Sequence, residues 1–583
     1  MALEVRACAE RARRLMLPFV EVVRLCDGSS ASSDAIRRGG FAMGADGAAY
    51  IAPDEAEVSA VEGWLAAHPA ARGRLQVTTP TALRAALTAV AEPTLLHNAV
   101  SGLAERHPEF SARRTVTRGQ ALAAVGFSVA LVAGLLAAQS ATSFAVNMVA
   151  AFLFLAVAGL RFVAAAFAAR WQPSMTSAAT GDVAETPVYT VLVPLHGEAA
   201  LVEDVVRALL RLDWPREKLD VKLLLEAGDE ATIAAARAAV RGTPFEIVTV
   251  PHGQPRTKPR ALAYALPLAR GALITVYDAE DRPHPAQLRR AWEAFRQGSR
   301  DLACVQAVLT IDNDDEGWLP RLFAIEYAAL FDGLLPALAA LGMPVPLGGT
   351  SNHFRRRILE KIGGWDAFNV TEDADVGVRL ARFGYRTDVI ACPTFEEAPI
   401  DAGTWLRQRT RWFKGWMQTW LVHTRQPVRL IRDLGLAGAA VFAITSLGIV
   451  VSAMVYPIYI ATVCVALANP LALWTNGGAP HAAALGLYLF NLVAGHAAMA
   501  LLSLRALRRR GRGHLALAIL SLPVYWLFMS LAAYRAAAEL VMRPHHWSKT
   551  PHRRHRAATG HHGSAAAAGS RARPRQALPA AGG

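Results

Sequence analysis

Apolar residues fall along the chain in two textures. Between residues 187 and 420, short continuous runs rich in β-branched residues recur about every 27 residues: "YTVLVPL" (Tyr189 to Leu195), "DVKLLLEA" (Asp220 to Ala227), "FEIVTVP" (Phe245 to Pro251) and "ALITVYDAED" (Ala272 to Asp281). Helical patterns such as "LVEDVVRALLRL" fill the gaps. Strands that are apolar on both faces and separated by helices predict a buried parallel sheet. Ligands of such sheets sit at the carboxyl ends of the strands. The second texture is longer. Ala121 to Ala138 and Phe144 to Leu160, continuing past Arg161, each approach the roughly 20 residues a helix needs to cross hydrocarbon. From Leu434 to Leu504 there is no Lys, Arg, Asp or Glu, and Leu515 to Val541 is apolar apart from Arg535 and Glu539.

Composition strengthens the membrane reading: 53% of the 583 residues are hydrophobic, more than a soluble protein usually carries. Both early runs begin more than a hundred residues into the chain, unlike a cleavable secretion signal. Short loops rich in Lys and Arg stay cytoplasmic. Arg113, Arg114 and Arg118 precede the first run, the turn from Gln139 to Ser143 is uncharged, and Arg161 and Arg170 follow the second. Arg425, Arg429 and Arg432, then Arg505 to Arg512, then Arg543 to Arg556 mark further inside edges. Each intervening stretch must then cross an even number of times, yet Leu515 to Val541 is short for two spans. Half of it reads as re-entrant or interfacial, broken near Pro523, giving five or six spans in all. The expected location is the inner (cytoplasmic) membrane, with the strand-bearing region cytoplasmic. The net charge of +14 lies in loops beside spans and in the tail, so it points to anionic membrane lipids and not to nucleic acid.

Residues 1–110 read as a small soluble α/β domain. Two segments, "LPFVEVVRL" and "VTTPTALRAAL", resemble the N-terminal domain of type II secretion ATPases. An adaptor without a ligand is expected there ahead of a nucleotide sensor. Residues 551–583 form a basic tail low in large apolar residues and are expected to be disordered. Its histidines read as part of a solvated tail and not as a metal site. Cys8, Cys26, Cys304, Cys392 and Cys464 form no CxxC pair, which fits a reducing cytosol without disulfides or zinc.

Candidate chemistry gathers at the predicted strand ends. After the fourth strand comes "YDAED", where Asp278 and Glu280 can both reach one hard cation, Mg²⁺ or Mn²⁺, bridging a diphosphate. Lys258 of "RTKPRALAYAL" stands at the mouth of a helix beginning near Pro259, where backbone donors and an ammonium can meet a phosphate. Farther on are "PLGGTSNHFRR" and "VTEDADVGVRL", the latter placing Glu372, Asp373 and Asp375 at a helix start. Acids there also suit the helix dipole, so Asp375 can be a plain first-turn acid. "QRTRWFKGW" sets Gln408, Arg411 and Trp412 on one helix face, apt for clamping a diphosphate or stacking on a sugar. The same helix also reads as amphipathic, with Trp405, Trp412, Trp416 and Trp420 at headgroup level.

In order and spacing, "VLVPLHGEA", "LLLEAGDEA", "RTKPRALAYAL", "YDAED", "GGTSNHF", "VTEDADVGVRL" and "QRTRW" resemble the motifs of family 2 glycosyltransferases. The likeness is to the membrane-embedded branch that includes cellulose synthase catalytic subunits and hyaluronan synthases, and it covers residues 185–425. It implies an α/β fold: a GT-A-type, mostly parallel nucleotide-sugar domain inserted between transmembrane helices (residues 120–168 before it, three or four more over 434–541). It implies that the loop Leu195 to Glu198, with Glu226 and Asp229, holds uracil and ribose, and that Lys258 contacts the diphosphate. Asp278 and Glu280 match the metal-binding D-x-D. Asp373, supported by Glu372 and Asp375, matches the general base. Thr350 and Ser351 join the substrate-binding set, and Gln408, Arg411 and Trp412 close over diphosphate and acceptor. The implied reaction is inverting transfer from a nucleoside-diphosphate sugar, expected to be a UDP-sugar, to a growing polysaccharide, processive and coupled to export, with export partners possible. Single addition to a lipid carrier is the alternative within this chemistry, and an inert channel or scaffold the alternative outside it. The chain departs from the family in reading "EAGDE" after the second strand and in offering Glu280 where Asp is commoner. It also shows no R-x-x-x-R followed by D-x-S-x-x-G toward the C-terminus, so a PilZ domain is not expected.

Overall fold

A computed structural model describes residues 2–25, 32–45, 47–170, 185–468 and 478–546. Cys26 and the basic tail 551–583 lie outside the described residues.

The N-terminal unit carries a small sheet of three strands, β1 (Phe41–Met43), β2 (Ala49–Ile51) and β3 (Leu75–Val77), in sequence order. Thr79 then caps a 27-residue helix, Pro80–Arg106, by accepting from the amide of Ala82 at 3.0 Å. One stripe of that helix, Leu83, Leu87, Ala91, Leu95 and Ala99, is buried in the same core as Leu262 and Tyr264 of the helix Lys258–Ala265. Arg37 fixes the contact from the side, ion-paired to Glu360 and donating to the carbonyl of Pro267 at 2.9 Å.

The large sheet has eight strands: β4 (Tyr189–Leu195), β5 (Leu219–Glu226), β6 (Glu246–Val250), β7 (Leu273–Val276), β8 (Arg282–Pro283), β9 (Leu302–Ile311), β10 (Asn352–Arg355) and β11 (Arg386–Glu396), in the order β6-β5-β4-β7-β10-β9-β11-β8. The four expected strands form one continuous parallel block, β6-β5-β4-β7. Beyond it the sheet is mixed. β10 runs antiparallel to both β7 and β9, β11 runs parallel to β9, and β8 caps the edge antiparallel to β11. Alternation along β4 explains why its apolar run is unbroken. Tyr189, Val191, Val193 and Leu195 enter the core shared with Val202, Trp292 and Phe295 of the helices on one face, while Leu192 enters the core that holds Leu262 and Phe323 on the other.

Among the described residues, six helical segments are long and apolar enough to cross a membrane: Arg118–Ala137, Gln139–Ala169, Trp318–Ala340, Pro427–Ala468, Ala482–Arg509 and Gly513–Met542. Two of them behave differently. Trp318–Ala340 is mostly buried inside the protein, packed on the large sheet. Gly513–Met542 is a 3₁₀ stretch, Gly513–Ser521, followed by the helix Leu522–Met542, and it begins and ends against the domain of the large sheet. At its start Trp318 donates to Ser521 Oγ at 2.9 Å; at its end Gln418 donates to the carbonyl of Pro544 at 2.7 Å and Lys414 pairs with Glu539 at 3.2 Å. The basic loop before it also turns inward. Arg510 pairs with Asp332 at 2.5 Å and Arg512 with Asp314 at 3.1 Å. Within Pro427–Ala468, Gly435 (φ 69°) breaks the helix, leaving a short amphipathic piece whose Asp433 pairs with Arg382 at 2.8 Å.

Candidate functional site

The ends of β4, β5, β7 and β11 and the starts of two helices converge on one cavity of about 220 Å³. Of the residues singled out in the sequence, Leu195, Glu198, Glu226, Lys258, Asp278, Glu280, Thr350, Glu372, Asp373, Gln408, Arg411 and Trp412 all line it. Asp229 and Ser351 do not. Asp229 stands behind the wall, accepting from the amide of Gly197 at 2.5 Å and capping the helix Glu230–Ala239 through the amide of Thr232 at 3.3 Å. It holds the Leu195 to Glu198 loop in place. Ser351 adopts φ 57°, is fully buried, and contacts Thr394 with its hydroxyl at 2.6 Å, tying the start of β10 to β11.

Lys258 occupies the centre of the charge arrangement. Its Nζ lies 2.5 Å from Asp278 Oδ1 and donates to the carbonyl of Gly349 at 2.6 Å. Burial disfavours the ammonium, but the charges of Asp278 and then Glu372 outweigh it and hold the pKa above that of an ordinary lysine. Beneath it, Asp281 accepts from Thr350 Oγ1 and from the amide of Asp278 at 2.6 Å. Burial, and then the charges of Asp278 and Glu280, push the Asp281 carboxyl well above the usual carboxylate range. Glu396, at the end of β11, is raised the same way, by burial and then by Asp281 and Glu280. Asp281 Oδ1 and Glu396 Oε1 are buried with no hydrogen-bond donor. Asp278, Glu280, Asp281 and Glu396 act on one another electrostatically, an all-oxygen grouping that suits a hard divalent cation. Among the described residues no three ligating side chains converge on a point. Asp278 and Glu280, both lining the cavity, are the residues that could hold such an ion.

Across the cavity, the three acids of the T-E-D segment separate by role. Glu372 and Asp373 line the cavity; burial raises both, Glu372 to about 7 with the Asp373 charge adding to it. Asp373 Oδ1 accepts from the amide of Ala374 at 2.8 Å. Asp375 points away into the protein, 2.8 Å from Arg379 Nε and 2.9 Å from His423 Nε2. It is neither a support for Asp373 nor a plain exposed first-turn acid. It fastens the helix Glu372–Arg382 to the helix Ala402–His423.

That second helix carries Gln408, Arg411 and Trp412 into the cavity and anchors itself through Arg409. The Arg409 guanidinium lies 4.3 Å from the Phe323 ring centroid and 4.5 Å from that of Trp412, and pairs with Glu326 at 2.7 Å. Glu326 also accepts from Tyr525 Oη at 2.9 Å. Trp405 is fully buried against Tyr525 and Phe528, so it does not sit at headgroup level as an amphipathic surface helix would have it. Trp416 lines the cavity, and Trp420 stacks on Phe442.

Sequence reasoning passed over Arg260, Glu396, Tyr327 and Trp416. Arg260 is fully buried, ion-paired to Glu226 and bonded to the carbonyl of Pro251 at 3.2 Å, so Glu226 reaches the cavity already neutralised. Its spacing from Lys258 on one short helix was the available signal. Glu396 lies 23 residues from Asp373, in the pair Glu396-Glu397 that matches no motif singled out in the sequence, and the pairing of β11 with β9 brings it to the cavity.

A family model described as glycosyl transferase family group 2 matches residues 273–475, which include the D-x-E, T-E-D and Q-x-x-R-W segments. Similar curated proteins include a probable glycosyltransferase, YdaM, of Bacillus subtilis, 26% identical over 238 residues (40% of this chain and 56% of the relative). Another is the beta-monoglucosyldiacylglycerol synthase of a Synechocystis species, 26% identical over 252 residues (42% and 52%). The chain thus spans about half the length of these relatives. A solved mannosyltransferase of Pyrobaculum calidifontis, in complex with GDP-mannose and Mn²⁺, is 20% identical with a TM-score of 0.45, covering 68% of this chain and 98% of that one. Over residues 273–475, which bring three of the cavity's segments together, the chain is similar to family 2 glycosyl transferases.

Proposed function

We propose that the protein transfers a glycosyl group from a nucleoside-diphosphate sugar to an acceptor hydroxyl, with inversion, at the cytoplasmic face of the inner membrane. The observation that carries this is the meeting, in one cavity, of Lys258 and the Asp278/Glu280 pair with Asp373 and the Gln408, Arg411 and Trp412 face. The nucleoside, expected to be uridine, would lie along Leu195, Glu198 and Glu226, with its diphosphate toward Lys258 and Arg411. Asp278 and Glu280 would hold Mg²⁺ or Mn²⁺, which when bound offsets the charge of the departing nucleoside diphosphate. Asp373 would take the proton from the acceptor hydroxyl, and Glu372 beside it keeps a second negative charge off the base while protonated. Gln408 Oε1, buried without a donor, is free to accept from an acceptor hydroxyl. Trp412 gives the sugar a face to stack on.

The finer reading is repeated addition to a polysaccharide passed outward through the helices. In its support, Trp412 and Trp416 line both the catalytic cavity and a second cavity of about 180 Å³ among the apolar helices. Single addition to a lipid has its own support in the mostly apolar walls of that second cavity and in the glycolipid synthase among the relatives. The test is a donor screen on purified membranes with Mg²⁺ or Mn²⁺ and each nucleotide sugar in turn. Metal-dependent release of nucleoside diphosphate with a lengthening product supports the first reading, and a product one sugar longer supports the second. No turnover with any donor would leave an inert scaffold.

A further inference from the structure

Arg161 lies in the helix Gln139–Arg170, nine residues before its end, which puts it roughly two and a half turns inside the catalytic-side boundary. It lines the cavity of about 180 Å³ that adjoins the catalytic site through Tyr327, Trp412 and Trp416, and also a smaller one of about 60 Å³ deeper among the helices. An arginine at this depth is costly unless something answers its charge. Among the described residues, the tyrosines Tyr327 and Tyr456 apart, the other ionisable side chain lining these cavities is Glu326. Glu326 is already committed: Oε1 to Arg409 at 2.7 Å and Oε2 to Tyr525 at 2.9 Å. Two guanidinium groups therefore share one carboxylate. Among the described residues Arg161 forms no ion pair within hydrogen-bonding reach, and its guanidinium lies 5.4 Å from the centroid of the Trp526 ring. Around it the walls are aliphatic, with Val157, Leu334, Ile449, Leu502 and Met529.

A positive charge left over at inner-leaflet depth, set in aliphatic walls, calls for a ligand with an anionic head and hydrocarbon chains. We propose that this cavity binds a membrane lipid bearing a phosphate headgroup, with the phosphate on Arg161 and the chains along the aliphatic walls. Charge complementarity selects the head, since a guanidinium meets phosphate oxygens through two parallel N–H donors. The shape and polarity of the walls select the chains. The inference requires the helices to be membrane-embedded but does not depend on catalysis.

Native mass spectrometry of the full-length protein in detergent tests it, with phosphatidic acid and diacylglycerol of the same chains as probes. The wild type is expected to retain phosphatidic acid at least about tenfold more than diacylglycerol, the worth of one good charge-assisted contact. Arg161→Gln should remove that preference and Arg161→Lys should keep part of it. Equal retention of the two lipids, an unchanged preference in Arg161→Gln, or displacement of the lipid by millimolar inorganic phosphate alone would overturn the proposal. Release of nucleoside diphosphate from donor, measured on the same wild-type sample, keeps the two ideas apart. Turnover without lipid preference defeats this inference only, and lipid preference without turnover defeats the transferase reading only.

Discussion

At the scale of single residues, neighbouring Asp373 and Glu372 share a cavity yet lead to different predictions. Asp373→Asn keeps the shape and loses the proton acceptor. Transfer should fall roughly 10²- to 10⁴-fold with donor binding and thermal stability kept, as read by initial rates, donor titration and unfolding temperature. Glu372 has a folded pKa of about 7 against an ordinary 4.5, chiefly because it is buried. The folded state therefore holds this proton more tightly than the unfolded one. Its contribution to stability is complete below about pH 4.5 and is lost as pH rises through about 7. Glu372→Gln should accordingly raise the melting temperature over wild type more at pH 8 than at pH 5, and an equal shift at both would contradict the burial argument. Most of this chemistry was legible in the sequence because it sits in short motifs at strand ends. Asp229 shows the limit. Its spacing from Glu226 suggests a shared ligand, but the same spacing puts it at a helix start, and a free cap and the Gly197 amide claimed its oxygens.

Among elements, the helix Ala402–His423 is held on three sides. Arg409 ties it to Glu326, Lys414 and Gln418 hold the segment after the last helix, and Gly415 lies against Thr371, the residue before Glu372. A Cβ at position 415 would stand 2.2 Å from Thr371 Oγ1 and 2.7 Å from Thr371 Cβ, and Thr371 is buried. Gly415→Ala must therefore push the helix and the T-E-D segment apart. We expect a loss of roughly 1–3 kcal/mol in stability, typical of overpacking. Because Gln408, Arg411 and Trp412 ride on this helix, turnover should fall by at least tenfold even below the unfolding transition. Steady-state rates beside thermal unfolding check both, and wild-type turnover in the folded variant would show that the contact does not position the site. The Q-x-x-R-W spacing forecast the face turned to the cavity. It could not forecast the opposite face, because Trp405 and Arg409 look like a surface aromatic and a surface cation until the helix Leu522–Met542 covers them.

For the whole molecule, contacts hold several segments beside one another, and segments so held would share a side of a membrane that the apolar helices cross. Residues 108–114 meet the start of the Pro427–Ala468 segment through Arg425 just before it, which donates to the carbonyl of Pro108 at 3.0 Å, and Arg429 within it, which pairs with Glu109 at 3.1 Å. The loop of Arg510 and Arg512 grips Asp332 and Asp314, and residues 543–546 sit on Lys414 and Gln418. Charge counting alone gave five or six crossings, because an apolar run does not say whether it leaves the surface. The contacts favour four: Arg118–Ala137, Gln139–Ala169, the part of Pro427–Ala468 after Gly435, and Ala482–Arg509. Gly513–Met542 would then lie along the membrane surface beside the helix Ala402–His423. Single cysteines decide it, in a background with Cys26 and Cys464 changed to serine, since Cys8, Cys304 and Cys392 are buried. An impermeant maleimide applied to intact cells should label Ser140→Cys, in the turn between the first two helices. Ser299→Cys, His514→Cys and Met542→Cys, all at exposed positions, should react only after permeabilisation. If His514→Cys and Met542→Cys label from opposite sides, the last helix crosses. Its paired contacts with the helix that carries Gln408 and Arg411 would then have to break, and the cavity would lose that wall.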